Sequence, residues 1–167
     1  LGDAVNPDTG WGCRDESWQF MTALERLGGD TWFRLGDRDL ATHVERTRRL
    51  AAGATLSQVT QELCASFRVG ACIVPMSDSP VATQVVTAAG VLPFQDYFVR
   101  QRAAPVVTAL RYEGASHASA SPATLAALTD PRLRAIVIAP SNPWLSVAPM
   151  LAIPGLRAAL GAAHVPV

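Results

Sequence analysis

Residues 35–43, Leu-Gly-Asp-Arg-Asp-Leu-Ala-Thr-His, hold the densest group of chemically able side chains in the sequence. Two carboxylates, Asp37 and Asp39, flank Arg38 where a helix should start, and His43 follows one turn later. Such a group could ligate Mg²⁺, hold a phosphate through Arg38, or move a proton through His43. The same residues also describe a capped helix with a local salt bridge, because aspartate favours the first turn of any helix. A second candidate is the turn-rich stretch at 6–15, Asn-Pro-Asp-Thr-Gly-Trp-Gly-Cys-Arg-Asp. Gly12 would let the backbone approach a ligand, Arg14 could hold a phosphate or stack on a ring, and Trp11 is the tryptophan best placed to meet a planar ligand. Composition alone favours an ordinary loop capped by Asp15. Ser77-Asp78 and Ser141-Asn142 each follow an apolar run, where an α/β sheet presents ligand-binding loops. Turns and helix caps would explain both pairs equally well.

The elements that must carry these residues fall into two styles. Up to about residue 70 the pattern is helical. Asp15 reads as an N-cap for Trp18, Met21 and Leu24, with Gly28-Gly29 as the stop. A second helix starts near Asp39, with Leu40, Val44, Thr47 and Ala51 on one face, Arg46, Arg48 and Arg49 towards solvent, and Gly53 closing it. Thr55-Leu56-Ser57-Gln58 has the form of a capping box ahead of Val59, Leu63 and Phe67. From Ala71 the pattern changes to strands at 71–75, 83–87 and 106–112, with a short helix at 94–102. Ser121-Pro122 opens another helix through Leu128. Residues 135–139, Ala-Ile-Val-Ile-Ala, are apolar without alternation, as a strand covered on both faces should be. A last helix is expected near 155–160. This grammar predicts an α/β fold with a Rossmann-like open, mostly parallel sheet and a helical insertion. The helical insertion or cap, with acceptor-side loops, takes residues 1–70, and part of the α/β nucleotide-binding core takes 71–167.

Composition narrows the partner. The chain has 167 residues, half of them hydrophobic, with fourteen basic and fourteen acidic side chains. Zero net charge offers no general attraction to nucleic acid or to an anionic membrane, so a small molecule is the expected partner. Lysine is absent, which excludes a Schiff-base or P-loop lysine within this stretch. Cys13, Cys64 and Cys72 are odd in number without CxxC spacing, which argues against a disulfide framework or a structural zinc site and fits a reduced, cytoplasmic protein. No apolar run approaches the roughly 20 residues of a membrane span. His117 and His164 stand alone, and HxxxH, GxSxG and GxGxxG are all missing, so zinc and serine hydrolases have no support. The first residue is a leucine inside a loop and the last three read like a strand beginning, so the chain is expected to be an internal fragment of one larger domain.

Taken together, Asn-Pro-Asp-Thr-Gly-Trp-Gly with Arg14, residues 31–43, Pro75-Met76-Ser77-Asp78, residues 94–100, residues 139–143 and Ile153-Pro154-Gly155 resemble the 2-phospho-L-lactate transferase family of coenzyme F420 biosynthesis. The resemblance implies a transferase that moves a 2-phospholactyl or phosphoenolpyruvyl group from a diphosphoguanosine donor to the deazaflavin Fo, with release of GMP. It implies Mg²⁺ as cofactor, its ligands expected upstream of Leu1, and a homodimer. By the same resemblance Asp37, Arg38, Asp39 and His43 are the catalytic block lining the cleft. Arg14, Trp11 and Gly12 fall on the Fo side, and Ser77, Asp78, Ser141 and Asn142 near the nucleotide. The stretch by itself would be inactive. The competing expectation is a related regulatory protein that binds a nucleotide sugar without catalysis.

Overall fold

A computed structural model describes residues 12–167, which divide into two compact units between Ile73 and Val74. The first unit is three helices: α1 (Gln19–Arg26), α2 (Asp37–Ala51) and α3 (Leu56–Ser66). Helix α3 begins with the capping box its sequence specifies: the Thr55 hydroxyl accepts from the Gln58 amide at 3.2 Å, and the Gln58 side chain accepts from the Thr55 amide at 2.9 Å. Helix α2 ends where Gly53 takes a φ of +91°, a conformation that costs glycine little. It starts at Asp37, two residues before the expected position, because Gly36 is already extended there. Asp15 is not the cap of α1; its φ of +52° turns the chain, and the helix is entered at Trp18. The expected apolar face of α2 is only partly realised. Leu40 is half-buried, whereas Val44, Thr47 and Ala51 are exposed. Within this unit α2 meets just two shorter helices, and an Arg49–Glu62 ion pair joins it to α3.

The second unit combines strands and helices, as the α/β expectation required, but its sheet is antiparallel, which corrects the predicted parallel one. Strands β1 (Ala82–Thr87), β2 (Gly90–Pro93) and β3 (Val107–Glu113) lie in the order β2-β1-β3. The reason is local. Only two residues separate β1 from β2, a link that can join antiparallel neighbours but is far too short for a parallel crossover. Thr87 secures that turn, donating to the Gly90 carbonyl at 2.9 Å and accepting from the Ala89 amide at 3.2 Å. The expected strands at 71–75 and 135–139 have no ladder among the described residues. In the latter, Ile136 donates to the Pro166 carbonyl at 2.8 Å, while Val137 is 84% exposed. A buried strand needs neighbours on both edges and cover on both faces, and neither is supplied here.

The core of this unit is Ile153, Leu156 and Ala118, with Met76, Val81, Ala120 and Leu128 packed against them. Helices α4 (Pro122–Thr129), α5 (Ala148–Leu151) and α6 (Leu156–Gly161) surround it, and π-helical turns occupy Asp96–Arg100 and Pro143–Val147. No helix among the described residues is long and apolar enough to cross a membrane. Ile153 is only 1% exposed, so truncation to Ala removes buried methyl groups and leaves a void. Ile153→Ala should cost about 2–5 kcal/mol in denaturant unfolding, whereas Val137→Ala should stay within about 0.5 kcal/mol. Equal costs would mean that the buried cluster is not the centre of the unit.

Candidate functional site

The acidic block at 37–39 does its first work on the backbone. The first amides of any helix have no partner inside the helix. For α1 the acceptor comes from the next helix: Asp37 Oδ2 accepts from the Gln19 amide at 3.1 Å and from the Ser17 hydroxyl at 2.6 Å, while Oδ1 accepts from the Phe20 amide at 3.1 Å. Helix α2 is served in return. Glu16 Oε1 accepts from the Arg38 amide at 3.1 Å and from the Ser17 amide at 3.0 Å, and the Asp37 amide donates to the Ser17 carbonyl at 2.9 Å. Two helix starts therefore exchange carboxylates. Gly36 makes room for this, since a Cβ there would fall on the Glu16 side chain. The Ser17 hydroxyl first, and then the Phe20 and Gln19 amides, hold the Asp37 carboxyl below its ordinary range.

Around this exchange the other predicted residues take their places. The Arg38 guanidinium donates through Nη1 to the Arg14 carbonyl. Arg14 is half-buried, and its Nε has no hydrogen-bond partner among the described residues. The Cys13 thiol donates to Asp39 Oδ1 at 3.6 Å. Burial first, and the Asp39 carboxylate next, push that thiol above its usual value. His43 meets Arg46 one turn along, with Nδ1 2.9 Å from the guanidinium. Arginine can only donate, so Nδ1 is the acceptor and a neutral ring carries its proton on Nε2. Gly12 is exposed with a φ of +75°, and Trp11 lies outside the described residues.

The two predicted pairs in the second unit sit on separate turns. Ser77 is buried; its hydroxyl donates to the Ser119 carbonyl at 2.7 Å and accepts from the Ser79 amide at 3.0 Å, while Asp78 beside it is exposed. Asn142 Oδ1 accepts from the Trp144 and Leu145 amides at 3.0 and 3.1 Å, capping the turn that follows. Ser141 and Ser146 share a hydroxyl–hydroxyl hydrogen bond of 2.5 Å. Below this cap runs an open groove of about 410 Å³ lined by Tyr112, Trp144, Leu151 and Arg157, which no motif announced. The structure thus gathers Arg14, Asp37, Arg38 and Asp39 with Cys13 and Glu16 in one unit. Glu16 and Gly36 were missed by sequence reasoning. The signal available for Glu16 was an acidic residue just ahead of a helix lacking its own cap.

Residues 14–167 match the model of the family described as 2-phospho-L-lactate transferase CofD. The chain belongs to the 2-phospho-L-lactate transferase family. It is 44% identical to proteins named phosphoenolpyruvate transferase from Mycobacterium leprae (strain TN) and Mycobacterium tuberculosis (strain ATCC 25618 / H37Rv), in each case over 100% of this chain and 52% of the relative. The protein of the same name from Mycobacterium avium (strain 104) is 42% identical, over 100% of this chain and 51% of the relative. The chain therefore spans about half the length of the curated relatives it matches.

Two outcomes follow for this member of the transferase family. A carboxyl lowered on folding contributes stability that is complete above its unfolded value, near about pH 4, and is lost as pH falls through the folded value. Asp37→Asn should therefore lower the thermal midpoint at neutral pH, and the gap to wild type should narrow as acid is added below about pH 4. A gap that is constant with pH would show that the charge on Asp37 does not hold α1. Gly36→Ala and Glu16→Ala should each destabilise, yet together cost less than their sum by at least about 0.5 kcal/mol, because both act on one contact. Additive losses in the double-mutant cycle would separate the two residues.

Proposed function

We propose that the protein carrying this chain transfers a 2-phospholactyl or phosphoenolpyruvyl group from a guanosine diphosphate-linked donor to the ribityl hydroxyl of the deazaflavin Fo, releasing GMP, in coenzyme F420 biosynthesis. The observation that supports this most is the family match across residues 14–167, which takes in every described residue of the acidic and arginine-rich block. In such a transfer the hydroxyl oxygen forms a bond to the phosphorus that bears the lactyl or enolpyruvyl group. The bond from that phosphorus to the GMP oxygen breaks, GMP departs with the bonding electron pair, and the hydroxyl proton passes to solvent. Phosphoryl transfer of this kind demands positioning and charge neutralisation more than a covalent nucleophile.

The chain's own residues suit those tasks. Arg38 keeps donors beyond the one it gives to the Arg14 carbonyl, and these can face an anionic phosphate; the Arg14 Nε–H is buried and has no partner among the described residues. His43 commits Nδ1 to Arg46, so a neutral ring keeps an Nε2–H as its remaining donor. Asp39 lies beside Cys13 at the same helix start, and Asp37 acts by fixing α1 against α2. Ser141 and Asn142, on a turn in the second unit, are the proposed nucleotide contacts, together with Ser77 and Asp78. Mg²⁺ calls for hard oxygen ligands, and the one three-residue candidate cluster among the described residues includes a thiol, which does not suit that ion.

The test is turnover of the protein with Fo and each of the two donors, followed by separation of the phosphodiester product and GMP. Arg38→Ala should lower turnover about 100-fold, the scale for loss of one charge-stabilising donor, while the protein stays folded. Donor binding without GMP release would overturn the proposal and leave a ligand-holding regulatory protein as the better reading.

A further inference from the structure

We propose, resting on the transfer reading given above, that Asp15 and Glu16 are positioning residues for Arg38, together fixing how its guanidinium is presented to an anionic group. Arg38 is exposed, and an exposed arginine ordinarily samples many rotamers. Here one short segment holds it at both ends. Its backbone amide donates to Glu16 Oε1 at 3.1 Å, and its guanidinium donates through Nη1 to the Arg14 carbonyl. Asp15 stands between these two acceptors with a φ of +52°.

The two anchors do different things. The amide bond completes a helix: Gly36, the N-cap of α2, has no side chain to offer, and Glu16 supplies the acceptor from outside. The bond to the Arg14 carbonyl caps nothing. An exposed hydrogen bond adds little to stability, since water offers the same groups a partner. What it changes is direction, because a planar fork with one nitrogen fixed presents its other N–H groups along few lines. Glu16 is itself held in place. The Ser17 amide donates to the same Oε1 at 3.0 Å, and Gly36 leaves the room that a Cβ would take from the Glu16 side chain.

The turn at Asp15 sets the relation between the anchors. Left-handed backbone is uncommon outside glycine, and aspartate tolerates it better than most side chains. Glycine would reach the same φ with more conformational freedom to lose. Aspartate therefore keeps the Arg14 carbonyl and the Glu16 carboxylate in register with less slack. The effect of both residues on transfer runs through Arg38.

Turnover of the full-length protein with Fo and the donor, in variants that remain folded at the assay temperature, tests this. Glu16→Ala should lower kcat at least about tenfold, within the roughly 100-fold that a misplacement of about 1 Å can cost, with the donor KM little changed. Glu16→Gln keeps an oxygen for the two amides and should recover most of that loss. Asp15→Val, a β-branched residue ill-suited to positive φ, should lose more than Asp15→Gly. In the Arg38→Ala background Glu16→Ala should add little, because the group it positions is gone. Equal losses in both backgrounds would show a general structural role and overturn the proposal. The guanidinium can also be followed by NMR without turnover: rotation at the Arg38 Nη groups should be slow in wild type and fast in Glu16→Ala. Equal rotation in the two would overturn the proposal as well. A wild-type protein without turnover would count against the transfer reading alone, and the Arg38 resonances would then decide the positioning role.

Discussion

The first unit depends on carboxylates exchanged between two helix starts. Helix α1 has eight residues, too few to persist on its own propensity, and Trp18 at its entry offers no side-chain cap. Asp37 answers both problems by taking its first amides from the neighbouring helix, and Glu16 does the same for α2. The arrangement also suits the helix dipoles, since each positive end meets a negative group. Neither helix start is satisfied without the other, so the exchange sets the distance between them. Cys13, Arg14, Arg38 and Asp39 all sit at that joint, and their separations are inherited from it.

This joint explains why the densest chemical motif in the sequence could be read in two ways. Aspartates around an arginine at a helix start describe a cap and an active site equally well, because both need charge aimed at a few polar hydrogens. The structure gives Asp37 the capping task, though on a different helix from the one its position suggests. A cap within its own helix is legible from spacing, as Thr55 and Gln58 demonstrate. A cap supplied across about twenty residues is not, because its partner depends on how the chain folds back. Asp15 was misread for that reason: the local rule nominated it, and the non-local donor Asp37 made it unnecessary.

Strands divided along the same line. Residues 83–87 and 106–112 were legible because β-branched runs between turn formers need only a hairpin-scale neighbour to pair. Gly90–Pro93 went unseen, as four residues containing both glycine and proline carry little strand signal. Residues 135–139 have the composition of a central strand, yet their pairing requires chain that is distant in sequence, and among the described residues it amounts to one hydrogen bond from Ile136 to Pro166. Composition reports what a segment is suited to, and the sheet's direction comes from its connections. The two-residue link after Thr87 settled antiparallel pairing irrespective of what the apolar runs suggested.

What the joint offers chemistry is rigidity without extra residues. A guanidinium at the end of a flexible side chain loses rotamer freedom when it meets an anion, and that loss opposes binding. Arg38 has already met part of it, since Nη1 is held on the Arg14 carbonyl and its own amide is held by Glu16. The remaining donors of a planar fork then point in directions fixed by the first bond. Arg14 is constrained from the other side, by accepting that bond at its carbonyl while its side chain is half-buried. A pair of arginines prepared in this way would bind a charged group with little further ordering, which is the property a transfer reaction draws on when charge must be met at a defined point. The capping role of the acidic block and the catalytic role proposed for its arginine are thus complementary: the carboxylates build the frame, and the cation between them is what the frame presents.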